Sequence, residues 1–147
     1  MAGYTAMFSQ TSGSFNITAG SLSLVPVTYQ ARIVKIEVTV DGAVGGATQT
    51  ISRYISSTLS GGATVTPRAF RDGAAASSAT AKSGATPSGT QQVLNLQRPI
   101  AGSGAYQFTS DVIVAPGNVL HVALATLNAA IVEIGIHYEV LYLARSN

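Results

Sequence analysis

Cysteine and tryptophan are missing from this chain. The first absence excludes disulfides, thiol chemistry and cysteine-held zinc. The second argues against an immunoglobulin domain, whose core is built around a buried tryptophan. Charge is scarce as well. Ionic residues make up 10% of the 147 residues, against about 25% in an average soluble domain. The surface must therefore be built from Ser, Thr, Gly, Gln and Asn, or be covered by other chains. That composition suits a protein that works inside an assembly. A basic face is lacking too. The net charge is +2 and the basic residues are scattered, with Arg68 and Arg71 close together around Phe70. Nucleic-acid binding needs a clustered basic surface with stacking aromatics, so no nucleic-acid partner is expected.

The N-terminal stretch MAGYTAMFSQ has no basic region followed by an apolar one, so no signal peptide is expected. The most hydrophobic run, 119–136, approaches membrane-spanning length, but His121, Asn128 and Glu133 interrupt it. Its second half alternates with period two, which predicts two strands and a turn and no membrane span.

Period two dominates the chain. In 131–143, Val132, Ile134, Ile136, Tyr138, Val140 and Tyr142 share one face. The other face is polar in the middle and ends in Leu141 and Leu143, which predicts that the last part leaves the sheet or meets a neighbouring subunit. In 31–42, Val34, Ile36, Val38 and Val40 are predicted to point inward, and Asp41-Gly42 to turn the chain. Tyr106, Phe108, Val112 and Val114 form one face of a hairpin. Ala115-Pro116-Gly117-Asn118 is its type II turn, and Leu120, Val122 and Leu124 lie on the return strand. Weaker strands are expected over Tyr4–Ser9, Ser14–Thr18, Thr48–Thr58 and Gln91–Gln97, with a short extended piece near Leu22 and Leu24. No segment carries an apolar helical stripe. About eight short strands with glycine-rich turns predict a single all-β domain, an antiparallel β-sandwich of jelly-roll type.

One stretch does not fit that rhythm. Residues 59–90 have Leu59, Val65 and Phe70 as their only large apolar side chains, and are otherwise mostly Gly, Ala, Ser, Thr and Pro. The expectation is a long loop between two strands, serving as a contact surface or simply as a mobile one.

At this stretch the sequence resembles small β-rich virion proteins of tailed bacteriophages. The likeness rests on SRYISSTLSGGATVTPRAFRDGAAASSATAKSG, then on DVIVAPGNVLHVALA and IVEIGIHYEVLYLA, in that order, spanning 51–143. The nearest group is the jelly-roll virion proteins, capsid decoration or cement proteins among them. The resemblance implies a non-enzymatic structural protein on the outer capsid surface. It would be made in the host cytoplasm, and its partners would be copies of itself, as a homotrimer, and the major capsid protein. A head-fibre, tail or adhesion component that binds host glycan is the alternative. The candidate capsid or subunit interface is Tyr4, Met7 and Phe8 in the N-terminal segment, Arg68, Phe70, Arg71 and Lys82 in the long loop, and Leu141 and Leu143 at the end.

Other chemistries find less to work with. His121 and His137, with Glu133 or Glu139, would make a two-histidine, one-carboxylate metal site. Half of a cupin motif is discernible in PGNVLH, but its partner His-x-His is missing. No Gly-x-Ser-x-Gly elbow and no phosphate loop is present. No catalytic residue, cofactor or metal is therefore assigned. Tyr29, Tyr54 and Tyr106 are the candidates for exposed, sugar-stacking aromatics, against a core or subunit role.

Overall fold

A computed structural model describes residues 2–11, 20–70, 77–109, 111–125 and 131–141. These form twelve strands: β1 (Ala2–Thr11), β2 (Gly20–Pro26), β3 (Gln30–Ile55), β4 (Leu59–Ser60), β5 (Ala63–Val65), β6 (Arg68–Ala69), β7 (Ala79–Ser83), β8 (Thr86–Pro87), β9 (Thr90–Thr109), β10 (Ile113–Val114), β11 (Val119–Ala125) and β12 (Ile131–Leu141). Antiparallel sheets pack against each other, so the protein is an all-β sandwich.

Two long strands run through both layers. The first part of β3, residues 30–41, lies between β12 and the end of β9, with Ile36 opposite both Ile136 and Phe108. The second part, 48–55, lies between β11 and the start of β9, with Ile51 opposite both Val122 and Asn95. Between them the β3–β9 register shifts at Val40/Ala43, Ala43/Ala47 and Ala47/Gln49. Such irregularities let a strand bend from one sheet into the next. Asp41-Gly42 is thus not the hairpin turn that its residues predict; β3 continues through it and changes layer. One layer has the order β6–β1–β12–β3–β9 and the other β5–β7–β2–β11–β3–β9. The ladder folds back on itself, for β2 packs on β1 and β12, from which hydrogen-bond order separates it.

The core lies between the layers. Val132, Ile134, Ile136, Tyr138 and Val140 are all buried, as alternation predicts, and Leu22, Leu24, Leu120, Val122 and Leu124 meet them from the other side. Tyr106, Phe108 and Val112 pack on its margin. The β10–β11 turn also matches expectation. Asn118 N–H donates to the Ala115 carbonyl at 3.1 Å and Gly117 has φ +87°.

Val34 departs from its predicted place. Ile33 is 1% exposed and Val34 41%. Tyr138 pairs with Ile33 while His137 pairs with Lys35, so Val34 is the extra residue of a bulge. The bulge flips the parity, moving Ile33 inward and Val34 out.

The 59–90 stretch is not a structureless loop. β7 extends the second layer beside β2, β5 pairs beside β7, and β6 extends the first layer beside β1. β4 and β8 pair with each other. Ala79 and Ala81 of β7 join the core with small side chains. Residues 71–76 lie outside the described residues, as do Ser14–Thr18 and Tyr142.

Two measurements check this packing. Ile33→Ala is expected to cost about 2–5 kcal/mol and Val34→Thr less than about 1 kcal/mol in denaturant unfolding. The opposite ranking would return Val34 to the core. At Gly89, φ is +85° and an added Cβ would lie 2.3 Å from the Ile55 carbonyl oxygen, whereas open space surrounds the equivalent atom at Gly117. Gly89→Ala should therefore destabilise more than Gly117→Ala, the latter by about 1 kcal/mol for backbone strain alone.

Candidate functional site

The outer face of the first layer gathers most of the described polar chemistry. Thr5 of β1, His137 of β12 and Lys35 of β3 stand side by side in register, with Glu37 diagonal to them. His137 Nδ1 shares a hydrogen bond with Thr5 Oγ1 at 2.9 Å, and Nε2 lies 3.3 Å from Glu37 Oε2. A carboxylate only accepts, so Nε2–H donates to Glu37, and Thr5 Oγ1 is the partner of Nδ1 on the other side of the ring. Lys35 Nζ sits 2.8 Å from Glu37 Oε1. That hydrogen bond, helped by His137, holds the Glu37 carboxyl below its ordinary value. A second ion group lies along the same strands. Arg32 donates to Glu139 from Nε at 3.1 Å and from Nη2 at 2.5 Å, and Asp111 stands 3.6 Å away. Glu139 raises the Arg32 guanidinium above its ordinary value.

The hydroxyl–imidazole–carboxylate order of Thr5, His137 and Glu37 mimics a nucleophile relay. At Thr5, however, β1 is paired on both sides, by His137 and by Arg68. The local backbone belongs to the ladder, and an oxyanion hole needs free, convergent donors. The row is accounted for as cross-strand pairing on a solvated sheet face.

The second layer's outer face is quieter. Ser21, Ser23, Thr50, Ser52 and Ala123 are small and uncharged, and Ser23 and Ser52 are buried. His121 Nδ1 lies 2.7 Å from Ser23 Oγ, and its ring meets Tyr54 edge-on at 6.0 Å. Gln91 Nε2 donates to Ser52 Oγ at 2.9 Å. Burial holds the His121 imidazole below its ordinary value of 6.5.

The two histidines are therefore in different layers with different partners, and Glu139 is engaged by Arg32. The two-histidine metal set is not assembled, and among the described residues no group of three His, Asp or Glu converges. Tyr29, Tyr54 and Tyr106 are half-buried, with Tyr29 and Tyr106 packed on the core, so they offer no open stacking platform.

The interface candidates separate. Tyr4 is 1% exposed and stacks on Tyr138 at 5.6 Å, so it is a core residue and presents nothing to a partner. Its neighbour Tyr138 bonds Ser77 Oγ at 2.5 Å, and burial pushes its phenol up to about 12. Met7 and Phe8 pair through their backbone with Gly135 and Ile134; their side chains, and all of Arg71 and Leu143, lie outside the described residues. Phe70 is 64% exposed. It donates its N–H to the Gly3 carbonyl at 3.1 Å and stacks on His137 at 5.8 Å. Its ring fills the space over Gly3, where a Cβ would come within 2.5 Å. Arg68 is exposed beside Thr5 and lines a recess of about 380 Å³ with Thr5, Val65 and Thr66. Lys82 pairs beside Thr64 of β5 and Ser23 of β2. Arg68 thus lies on the edge strand β6, Phe70 is the residue that follows it, and Lys82 lies on β7, one strand in from the β5 edge. Leu141 is half-buried at the end of β12, opposite Gln30.

No protein family, no curated protein and no solved structure matches this chain.

His121 sets a pH dependence. Its folded pKa is depressed, so the unfolded chain takes up a proton first as pH falls through about 6.5. The stability it contributes is present above that pH and lost below it. Urea midpoints are expected to drop between pH 7.5 and pH 5, and to drop less in His121→Gln. An equal drop in both proteins would remove His121 from the account.

Proposed function

We propose that this chain is a non-enzymatic structural protein of a tailed-phage virion, binding the outer capsid surface as a decoration or cement protein. The reading combines the resemblance over 51–143 with the order of the strands. Counting the two halves of β3 and of β9 separately gives eight principal segments. They pair as first–eighth–third–sixth in one layer and second–seventh–fourth–fifth in the other. That wiring supports a jelly roll, two Greek keys wrapped into a sandwich. It is the observation on which the reading chiefly rests.

The surface supports the same role. Low charge reduces the desolvation penalty of covering the protein with neighbours. Arg68 and Phe70 stand exposed together, a forked donor beside an apolar anchor, as a contact with carboxylate-bearing shell subunits requires. The assembly would be a homo-oligomer, a trimer as the resemblance implies. The half-buried tyrosines give the glycan-binding alternative no comparable support.

Capsids stripped of this protein should lose resistance to heat or low salt, and regain it when the pure protein is added back. Arg68→Ala should weaken rebinding by about tenfold while leaving the melting temperature of the free protein nearly unchanged, and Phe70→Ser should weaken it as much at a cost of about 1 kcal/mol in stability from the lost stacking on His137. Failure to rebind shells, with binding to host-cell sugars instead, would reject decoration in favour of adhesion.

A further inference from the structure

β9 is an edge in both layers. Among the described residues, β3 is the only strand that pairs with it. Proteins commonly protect such an edge with lysines, prolines, bulges or short length. The first half of β9 has a bulge opposite Ile51/Ser52, and Pro99 stands just beyond it. The second half, Gly104-Ala-Tyr-Gln-Phe-Thr109, has none of these. It pairs with β3 from Val40 to Lys35 without irregularity, and it carries no charge. Ala105, Gln107 and Thr109 are exposed, while Tyr106 and Phe108 are only partly covered at the margin of the core. Of the five exposed large apolar side chains among the described residues, Val34, Val93 and Ile113 lie on β3, β9 and β10.

We infer that the 104–109 edge pairs antiparallel with the same edge of a second copy of this chain, across a two-fold axis at Gln107. An open row of backbone donors and acceptors is matched by another strand. A strand without charge meets its own copy without like-charge repulsion. The register follows from alternation. Side chains on one face of the joined sheet must oppose side chains of the same parity, so a residue and not a peptide bond sits on the axis. Centred on Gln107, Ala105 faces Thr109 and Tyr106 faces Phe108, an aromatic pair made twice over the margins of the two cores. Centring on Tyr106 would set Phe108 over Gly104, where the Tyr106 ring already lies about 3.5 Å from a Cβ position. This contact is separate from the three-fold assembly proposed above and does not depend on it.

The chain has no cysteine of its own, so single cysteines report the contact cleanly. Gln107→Cys should form a disulfide-linked dimer under mild oxidation, because facing Cβ atoms across a strand pair come within about 5 Å. Thr80→Cys, exposed on β7 in the opposite half of the strand order, should not. Gln107→Lys sets two like charges against each other on an exposed face. It should weaken self-association in sedimentation equilibrium by about tenfold with an unchanged melting temperature. The proposal is overturned if Gln107→Cys cross-links no more than Thr80→Cys, if Gln107→Lys leaves self-association unmoved, or if the native chain stays monomeric at the highest concentration reached.

Discussion

Everything in this molecule hangs on one pair of strands, β3 and β9, whose hydrogen-bonded pairing bends through three register shifts and is shared by both layers. A sandwich made of separate sheets is held together only by side-chain packing. Here the same two strands enter the first layer beside β12 and the second beside β11. The core between the layers then has little freedom to slide, because each face is tied through the backbone of β3. That constraint also explains how small alanines at β7 serve as core residues: the spacing is set by the ladder and need only be filled.

The same ladder organises the surface. It divides the polar groups into a charged outer face, where Lys35, Glu37, His137, Arg32 and Glu139 pair across strands, and an opposite face of serines, threonines and alanine around His121, with Lys82 beside Ser23. Ion pairs on the first face satisfy one another in place and contribute little to stability. The two lateral margins differ in kind. One is formed by β5, β6 and β7, with Arg68, Phe70 and Lys82; the other by β9 with its uncharged backbone edge. Both are surfaces suited to contact, on a chain with few ionic side chains.

Much of this was legible from alternation alone. The inward face of 132–140, the return strand with Leu120, Val122 and Leu124, and the Pro116-Gly117 turn depend on local chemistry, and local chemistry is written in the sequence. Three features were not. Val34 obeys the alternating pattern, yet the bulge opposite His137/Tyr138 turns it outward, and a bulge is a property of two strands. Asp41-Gly42 has turn chemistry, but whether such a pair reverses a chain or bends it between layers depends on what β9 does opposite. The 59–90 stretch lacks apolar bulk, so it reads as a loop; its strands form because neighbouring edges offer partners to any extended backbone. At the candidate site, the order Thr5, His137, Glu37 could not be found from one dimension, since register places them together. Tyr4 reads as an interface residue from the sequence; its burial and its stacking on Tyr138 place it in the core.

The central physical claim is that the two layers are one cooperative unit joined by a shared pair of strands. Residue-resolved hydrogen exchange on the free protein tests it most directly. Amides bonded between β3 and its neighbours at 33–40 and at 49–54 should open with a single free energy, equal to that of global unfolding. If the second-layer amides exchange by a separate, lower-energy opening while the first layer stays protected, the layers are independent and the account fails.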